Sequence, residues 1–153
     1  MKVLLVDDSA SMRKIITRAL KNCGFSSVVQ ADDGCQALAY AEAERFDLML
    51  IDFNMPRPNG LEVIRLLRLR ELTAPIIFLA TEVDLESRDD AMAAGANGCL
   101  CKPFADDTLR SALVDILGID RVPFAASARV VPTFDSLKRP RLGGVRNQSR
   151  VKW

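Results

Sequence analysis

Leu48 to Gly60 reads LMLIDFNMPRPNG, and the fold is decided in this stretch. Four apolar residues, Leu48 to Ile51, run straight into a carboxylate, Asp52. A short, wholly apolar run bounded by turn formers is the pattern of a strand buried on both faces, as in a parallel sheet with helices on each side. Asp52 is then expected at the carboxyl end of that strand, where open α/β sheets place their ligand sites. Pro56 and Pro58 stop the strand, and Asn59-Gly60 signals a turn ahead of a helix. A carboxylate presented this way is a candidate nucleophile or metal ligand; the plainer alternative is an ordinary loop aspartate.

Outward from this strand, the chain alternates. Val3 to Val6 is a second buried-strand run and ends at Asp7-Asp8. Ser9 or Ser11 caps the helix that follows, whose Met12, Ile15, Ile16, Ala19 and Leu20 keep helical spacing and are expected to face inward. Asn22 to Gly24 ends it. Ser27 to Ala31 reads as a weaker strand, and Asp32-Asp33-Gly34 starts a helix through Ala37, Leu38 and Ala41. Beyond the central strand come a helix over Gly60 to Arg70 and a strand over Ile76 to Leu79, which runs into Ala80-Thr81-Glu82. Leu85 to Ala94 reads as one helix with a thin apolar face, chiefly Leu85 and Met92. Gly98 to Cys101 is a short fifth strand ahead of Lys102-Pro103-Phe104. In the last helix Leu109, Ala112, Leu113, Ile116 and Leu117 follow i, i+3, i+4, i+7, i+8. The expectation is an α/β fold, (βα)₅, in which short strands joined through helices form a doubly wound five-stranded parallel sheet.

Composition is consistent with one such domain plus an extension. The chain has 153 residues, 49% hydrophobic and 27% charged, enough to bury a real core. No apolar run approaches the ~18 residues of a membrane span, and the N-terminus shows no signal-peptide pattern, so a cytoplasmic location is expected. Four cysteines, Cys23, Cys35, Cys99 and Cys101, are expected as reduced thiols. Cys99-x-Cys101 lacks zinc-type spacing, and the absence of histidine excludes any His-based acid, base or metal site. The net charge of +1 conceals an asymmetry. Residues 1–118 carry 13 Lys and Arg against 18 Asp and Glu, whereas residues 119–153 carry 8 against 2. An acidic domain, 1–118, is therefore expected to carry a basic, Pro-containing and flexible tail, 119–153.

On this scaffold the polar residues converge. Asp7 and Asp8 end the first strand, Asp52 the third, Thr81 and Glu82 follow the fourth and Lys102 the fifth, all on one edge of the sheet. Three carboxylates brought together raise one another's pKa unless cations share the site. Mg²⁺, a hard ion that takes one or two carboxylates plus water and substrate phosphate, offsets that repulsion, and Lys102 adds positive charge for an incoming anion. The chemistry suggested is metal-assisted phosphoryl transfer, with Asp52 attacking phosphorus to form an acyl phosphate.

VDDS, the strand ending in Asp52, DFNMPRPNG, the P-x₄-A-T-E region and K-P-F together resemble the receiver domain of two-component response regulators, of the single-domain chemotaxis (CheY) type. The resemblance covers residues 1 to about 118. It implies the flavodoxin-like strand order 2-1-3-4-5, with Asp52 as the phosphoacceptor of a partner sensor histidine kinase. It also implies Mg²⁺ on Asp8 directly, on Asp7 partly through water, on Asp52 and on the backbone carbonyl of Asn54. Lys102 is then the partner of the phosphoryl oxygens, ahead of a cis Lys102-Pro103 bond. Such a protein phosphorylates itself from small phosphodonors and dephosphorylates itself, but is not a turnover enzyme. Its output is a protein target docked on the face formed by the fourth helix, fifth strand and last helix. Asn54 and Glu82 match the type that loses its phosphoryl group quickly.

Two positions depart from the family. Ala80 stands where a Ser or Thr hydroxyl normally bonds the phosphoryl group. The nearest hydroxyl is on Thr81, whose backbone N–H remains available to the phosphoryl group. Cys99 replaces the aromatic residue that normally couples this movement to the output face. The phosphorylation apparatus is complete, while the switch in its usual form is not. A second hypothesis is therefore a receiver-shaped binding module whose contacts ignore phosphorylation. A third, a free-standing phosphohydrolase of the haloacid dehalogenase kind, needs an acid/base Asp where Asn54 stands. Thirty-five tail residues are too few for a winged-helix output domain, so sequence-specific DNA binding is not expected. The basic stretch Lys138 to Trp153 suits contact with nucleic acid, an anionic membrane or an acidic protein face, and Ala128 to Pro132 is a candidate edge strand.

Overall fold

Among the described residues, the apolar runs and amphipathic segments resolve into five strands, five α-helices and one 3₁₀ turn. The structure, a computed structural model, describes residues 1–118 apart from the side chain of Leu85. The basic tail and its candidate strand at Ala128 to Pro132 lie outside the described residues. Strands β1 (Lys2–Val6), β2 (Ser27–Ala31), β3 (Leu48–Asp52), β4 (Ile76–Ala80) and β5 (Gly98–Cys101) alternate with helices α1 (Ala10–Asn22), α2 (Gly34–Ala43), α3 (Gly60–Leu69), α4 (Arg88–Ala94) and α5 (Asp106–Leu117). Every pairing is parallel and the order is β2-β1-β3-β4-β5, the doubly wound arrangement expected.

Strand periodicity explains why the central runs are apolar throughout. Leu4, Val6, Met49, Ile51, Ile76 and Phe78 pack on one face against Ala37 and Ala41 of α2, Val63, Ile64 and Leu67 of α3 and Ala91 of α4. The alternate residues Val3, Leu5, Leu48, Leu50, Ile77 and Leu79 pack on the other, against Ile16 and Leu20 of α1 and Leu109 and Leu113 of α5. With helices on both faces, the strand positions between these layers are apolar up to the carboxyl end of β3, where Asp52 emerges. Strand β2 read weakly because it is an edge strand, with Ser27 and Gln30 exposed.

Helix starts follow their caps. Ser9, not Ser11, caps α1, its hydroxyl accepting from the Met12 N–H at 3.3 Å. Asp33 caps α2. Asn59 and Glu62 form a reciprocal capping box on α3, each bond 2.9 Å. Two expectations are corrected. Ile15 is 61% exposed: the buried stripe of α1 runs through Ile16, Ala19 and Leu20, and Ile15 lies on its flank. The segment read as one helix from Leu85 is a 3₁₀ turn, Glu82–Ser87, followed by the short α4. Its inward residue is Ala91, fully buried against the sheet, while Met92 is exposed.

Arg68 fastens this region from below. Its guanidinium donates to the carbonyls of Leu72, Ala74 and Gly95 and to the Asn97 side chain, which also accepts from the Ile76 N–H. One planar cation thus holds the end of α3, the start of β4 and the end of α4 together. Among the described residues, no helix is long and apolar enough to cross a membrane. All four cysteines are free thiols.

Candidate functional site

Parallel strands of similar length align their carboxyl ends. Val6 of β1 lies beside Ile51 of β3, Asp52 beside Leu79 of β4, and Ala80 beside Cys101 of β5. The next residue or two on each strand therefore emerge together: Asp7 and Asp8 after β1, Asp52 at the tip of β3, Thr81 after β4 and Lys102 after β5. Each of Asp7, Asp8 and Asp52 has a carboxylate oxygen within 4.8 Å of one from each of the other two. Lys102 Nζ donates to Asp52 Oδ1 at 2.6 Å and lies 3.4 Å from Asp7 Oδ2. The Ser9 N–H donates to Asp7 Oδ1 at 2.8 Å, and Arg13 holds the Asp7 carbonyl at 2.7 Å. Lys102 is itself placed by its backbone N–H, which donates to the Ala80 carbonyl at 2.7 Å. The Lys102-Pro103 bond is cis as expected, and Arg57-Pro58 is cis as well.

Burial gives this cluster its chemistry. Among the described residues, Asp7 and Asp52 are the buried polar or charged ones, 0% and 2% exposed, whereas Asp8 opens to solvent. Desolvation pushes the Asp52 carboxyl up from an ordinary 3.8 to about 6, with Asp7 and Asp8 adding repulsion and the Lys102 hydrogen bond opposing the rise. Burial pulls the Lys102 ammonium the other way, but its contacts with Asp52 and Asp7 outweigh that and hold its pKa above the ordinary lysine value. A carboxyl whose folded pKa is raised favours folding fully below its unfolded pKa, and that contribution is lost as pH climbs through the folded value. Asp52→Asn is therefore expected to be more stable than the wild type at pH 8 without divalent ions, by about 2 kcal/mol. The difference should shrink toward pH 4. Urea melts at both pH values in EDTA check this, and parallel behaviour at the two would contradict a desolvated carboxylate.

The donor set is all hard oxygen with concentrated negative charge, which fits Mg²⁺ and disfavours soft metals. One more group belongs to this edge and was missed in the sequence. Asp84 Oδ2 accepts from Asn54 Nδ2 at 2.9 Å, from the Thr81 N–H at 3.3 Å and from the Thr81 hydroxyl. The signal that points to it is Thr81-x-x-Asp84, the spacing at which a carboxylate reaches back to cap a first turn. Ala80 is buried and Cys99, beside Phe78, packs into the core, where burial pushes its thiol pKa up. Glu82 is exposed.

Comparison with known proteins converges on one family. The family model described as the response regulator receiver domain matches residues 3–114. The chemotaxis protein CheY of Pseudomonas aeruginosa is 35% identical over 118 residues, covering 76% of this chain and 95% of that protein. The crystallised chemotaxis protein CheY4 of Vibrio cholerae is 39% identical with a TM-score of 0.69, covering 75% of this chain and 97% of its own. The receiver domain of a P. aeruginosa sensor histidine kinase, solved with a magnesium ion coordinated in its active-site cleft, is 32% identical with a TM-score of 0.70. That match covers 77% of this chain and 98% of the other.

Proposed function

The chain belongs to the response regulator receiver domain family, of the CheY type, and from that membership we propose a phosphoacceptor that signals by protein–protein contact. The observation that carries the proposal is the buried Asp52 carboxylate, 2.6 Å from Lys102 Nζ and grouped with Asp7 and Asp8. In the reaction the Asp52 oxygen attacks phosphorus on a phosphohistidine of a partner sensor histidine kinase. The N–P bond breaks with its electron pair returning to the imidazole, and an O–P bond forms, leaving an acyl phosphate on Asp52. Lys102 neutralises charge on the transferring oxygens, and the Thr81 backbone N–H supplies a donor. Asp7, Asp8, Asp52 and the Asn54 carbonyl would hold Mg²⁺. When bound, that ion supplies further positive charge to the phosphoryl oxygens.

The protein would act once per phosphorylation and not as a turnover enzyme. Its target, in a chemotaxis-like pathway or a phosphorelay, would dock on α4, β5 and α5 inside the cell. The basic tail would meet an acidic partner surface, with no sequence-specific DNA binding. One observation favours a second reading, a module whose contacts ignore phosphorylation: Ala80 is 1% exposed and brings no hydroxyl to the site, and Cys99 brings no aromatic ring.

Phos-tag mobility after acetyl phosphate treatment tests the phosphoacceptor reading. The wild type should shift with Mg²⁺ and not with EDTA, and Asp52→Asn should not shift in either. A folded wild type that never shifts leaves the phosphorylation-independent module as the account.

A further inference from the structure

The bonds to Asp84 join the two loops that flank Asp52. Asn54 lies two residues past Asp52, and Thr81 lies two past Leu79, the residue beside Asp52 on β4. One oxygen of Asp84 takes donors from both. Part of this is helix capping, since the Asp84 N–H also donates to the Thr81 carbonyl at 3.0 Å in the first turn of the 3₁₀ segment. Capping does not account for the Asn54 bond, which comes from the other loop. Nor is it neutral that Asp84 occupies the Thr81 N–H and hydroxyl, since Ala80 has no side-chain donor to offer in their place.

We propose that Asp84 is an internal stand-in for the phosphoryl group. It is a positioning residue whose carboxylate holds the Thr81 donors and the Asn54 amide until an acyl phosphate on Asp52 takes the Thr81 donors over. The inference rests on the reading of Asp52 as phosphoacceptor. The acyl phosphate carries about two negative charges where the Asp52 carboxylate carried one, so it repels Asp84 more strongly while competing for the same N–H and O–H. Each of those hydrogens serves one strong acceptor at a time, and a donor gained by the phosphoryl group is lost by Asp84. Release of Asp84 unfastens Glu82–Ser87, the segment that opens onto α4. Phosphorylation is thereby converted into movement next to α4 with no hydroxyl at position 80 and no aromatic ring at position 99.

The test uses the full chain with acetyl phosphate and Mg²⁺, reading the phosphoryl half-life after the donor is removed. It also reads the Thr81 amide resonance with and without beryllium fluoride as phosphoryl mimic. Asp84→Ala is expected to lengthen the half-life roughly three- to tenfold, the worth of donors no longer shared. Asp84→Asn keeps an acceptor for those donors and should fall between Asp84→Ala and the wild type. Adding Thr81→Val to Asp84→Ala should remove part of the gain. In the wild type the Thr81 amide should shift on adding beryllium fluoride, and Asp84→Ala alone should already displace it. A folded Asp84→Ala whose half-life equals or falls below that of the wild type overturns the proposal, because a mere cap would lower the melting temperature without prolonging the phosphoryl group. Equal lengthening in Asp84→Ala and Asp84→Asn overturns it too, reducing Asp84 to a charge. Both results leave the phosphoacceptor reading standing, whereas a wild type that takes up neither phosphoryl nor beryllium fluoride overturns both.

Discussion

Replacing Lys102 by methionine is expected to slow phosphorylation of Asp52 at least about a hundredfold while tightening Mg²⁺ binding by roughly tenfold. The two effects have opposite signs because Lys102 serves the two anions differently. Its side chain is 11% exposed, 2.6 Å from Asp52 and 3.4 Å from Asp7, and neutralises charge that a divalent cation would also neutralise. Removing it relieves repulsion between ammonium and metal, so the acidic cluster holds Mg²⁺ more firmly. The transferring phosphoryl group, however, loses a fixed cation that no rearrangement replaces. The Asp52 carboxyl, already raised to about 6 with Lys102 in place, rises further without it, so the comparison belongs at pH 8.5, where the nucleophile remains ionised. Calorimetric titration with Mg²⁺ and acetyl phosphate kinetics at saturating Mg²⁺ give the two numbers. If both fell together, Lys102 would be a scaffold residue and not an electrostatic one.

The strands were legible because parallel strands buried on both faces leave a compositional trace. VLLV, LMLI and IIFLA are apolar at every position, and each gives way to a polar residue where the chain reaches the sheet edge, at Asp7, Asp52 and Thr81. The site was legible for the same reason: residues that end parallel strands are brought together by topology alone, so Asp7, Asp8, Asp52 and Lys102 needed no knowledge of side-chain geometry. What failed was periodicity read without depth. Ile15 satisfies helical spacing yet is exposed, because a 13-residue helix lying on a sheet buries a stripe narrower than its apolar content. Met92 belongs to the thin apolar face read for this segment yet is exposed, while Ala91 is the residue of α4 buried against the sheet. Asp84 escaped because its importance lies in a bond to Asn54, thirty residues away in sequence. No local pattern records such a contact.

Gly60 shows the converse, a residue read correctly as the start of a helix for an incomplete reason. It opens α3 behind the Asn59 cap, where many residues are tolerated, and nothing in its backbone conformation demands glycine. The demand is steric. A Cβ at position 60 would lie 2.1 Å from the carbonyl oxygen of Asp52, 2.9 Å from its carbonyl carbon and 3.0 Å from the Cα of Phe53. These are main-chain atoms of the strand that presents the nucleophile, and Phe53 is pinned to β4 by its N–H bond to the Leu79 carbonyl at 2.8 Å. Neither side can yield without moving α3 off the sheet or Asp52 out of the cluster. Gly60→Ala is expected to cost more than about 3 kcal/mol and to lower phosphorylation well beyond the loss of folded protein. Asn59→Ala, which removes the cap and leaves the close approach intact, is expected to cost about 1 kcal/mol and to leave the rate per folded molecule nearly unchanged. Urea melts and acetyl phosphate kinetics on the two variants separate the roles. Near-native stability and rate in Gly60→Ala would mean that α3 can slide along the sheet, and that Asp52 is held by its strand and Lys102 alone.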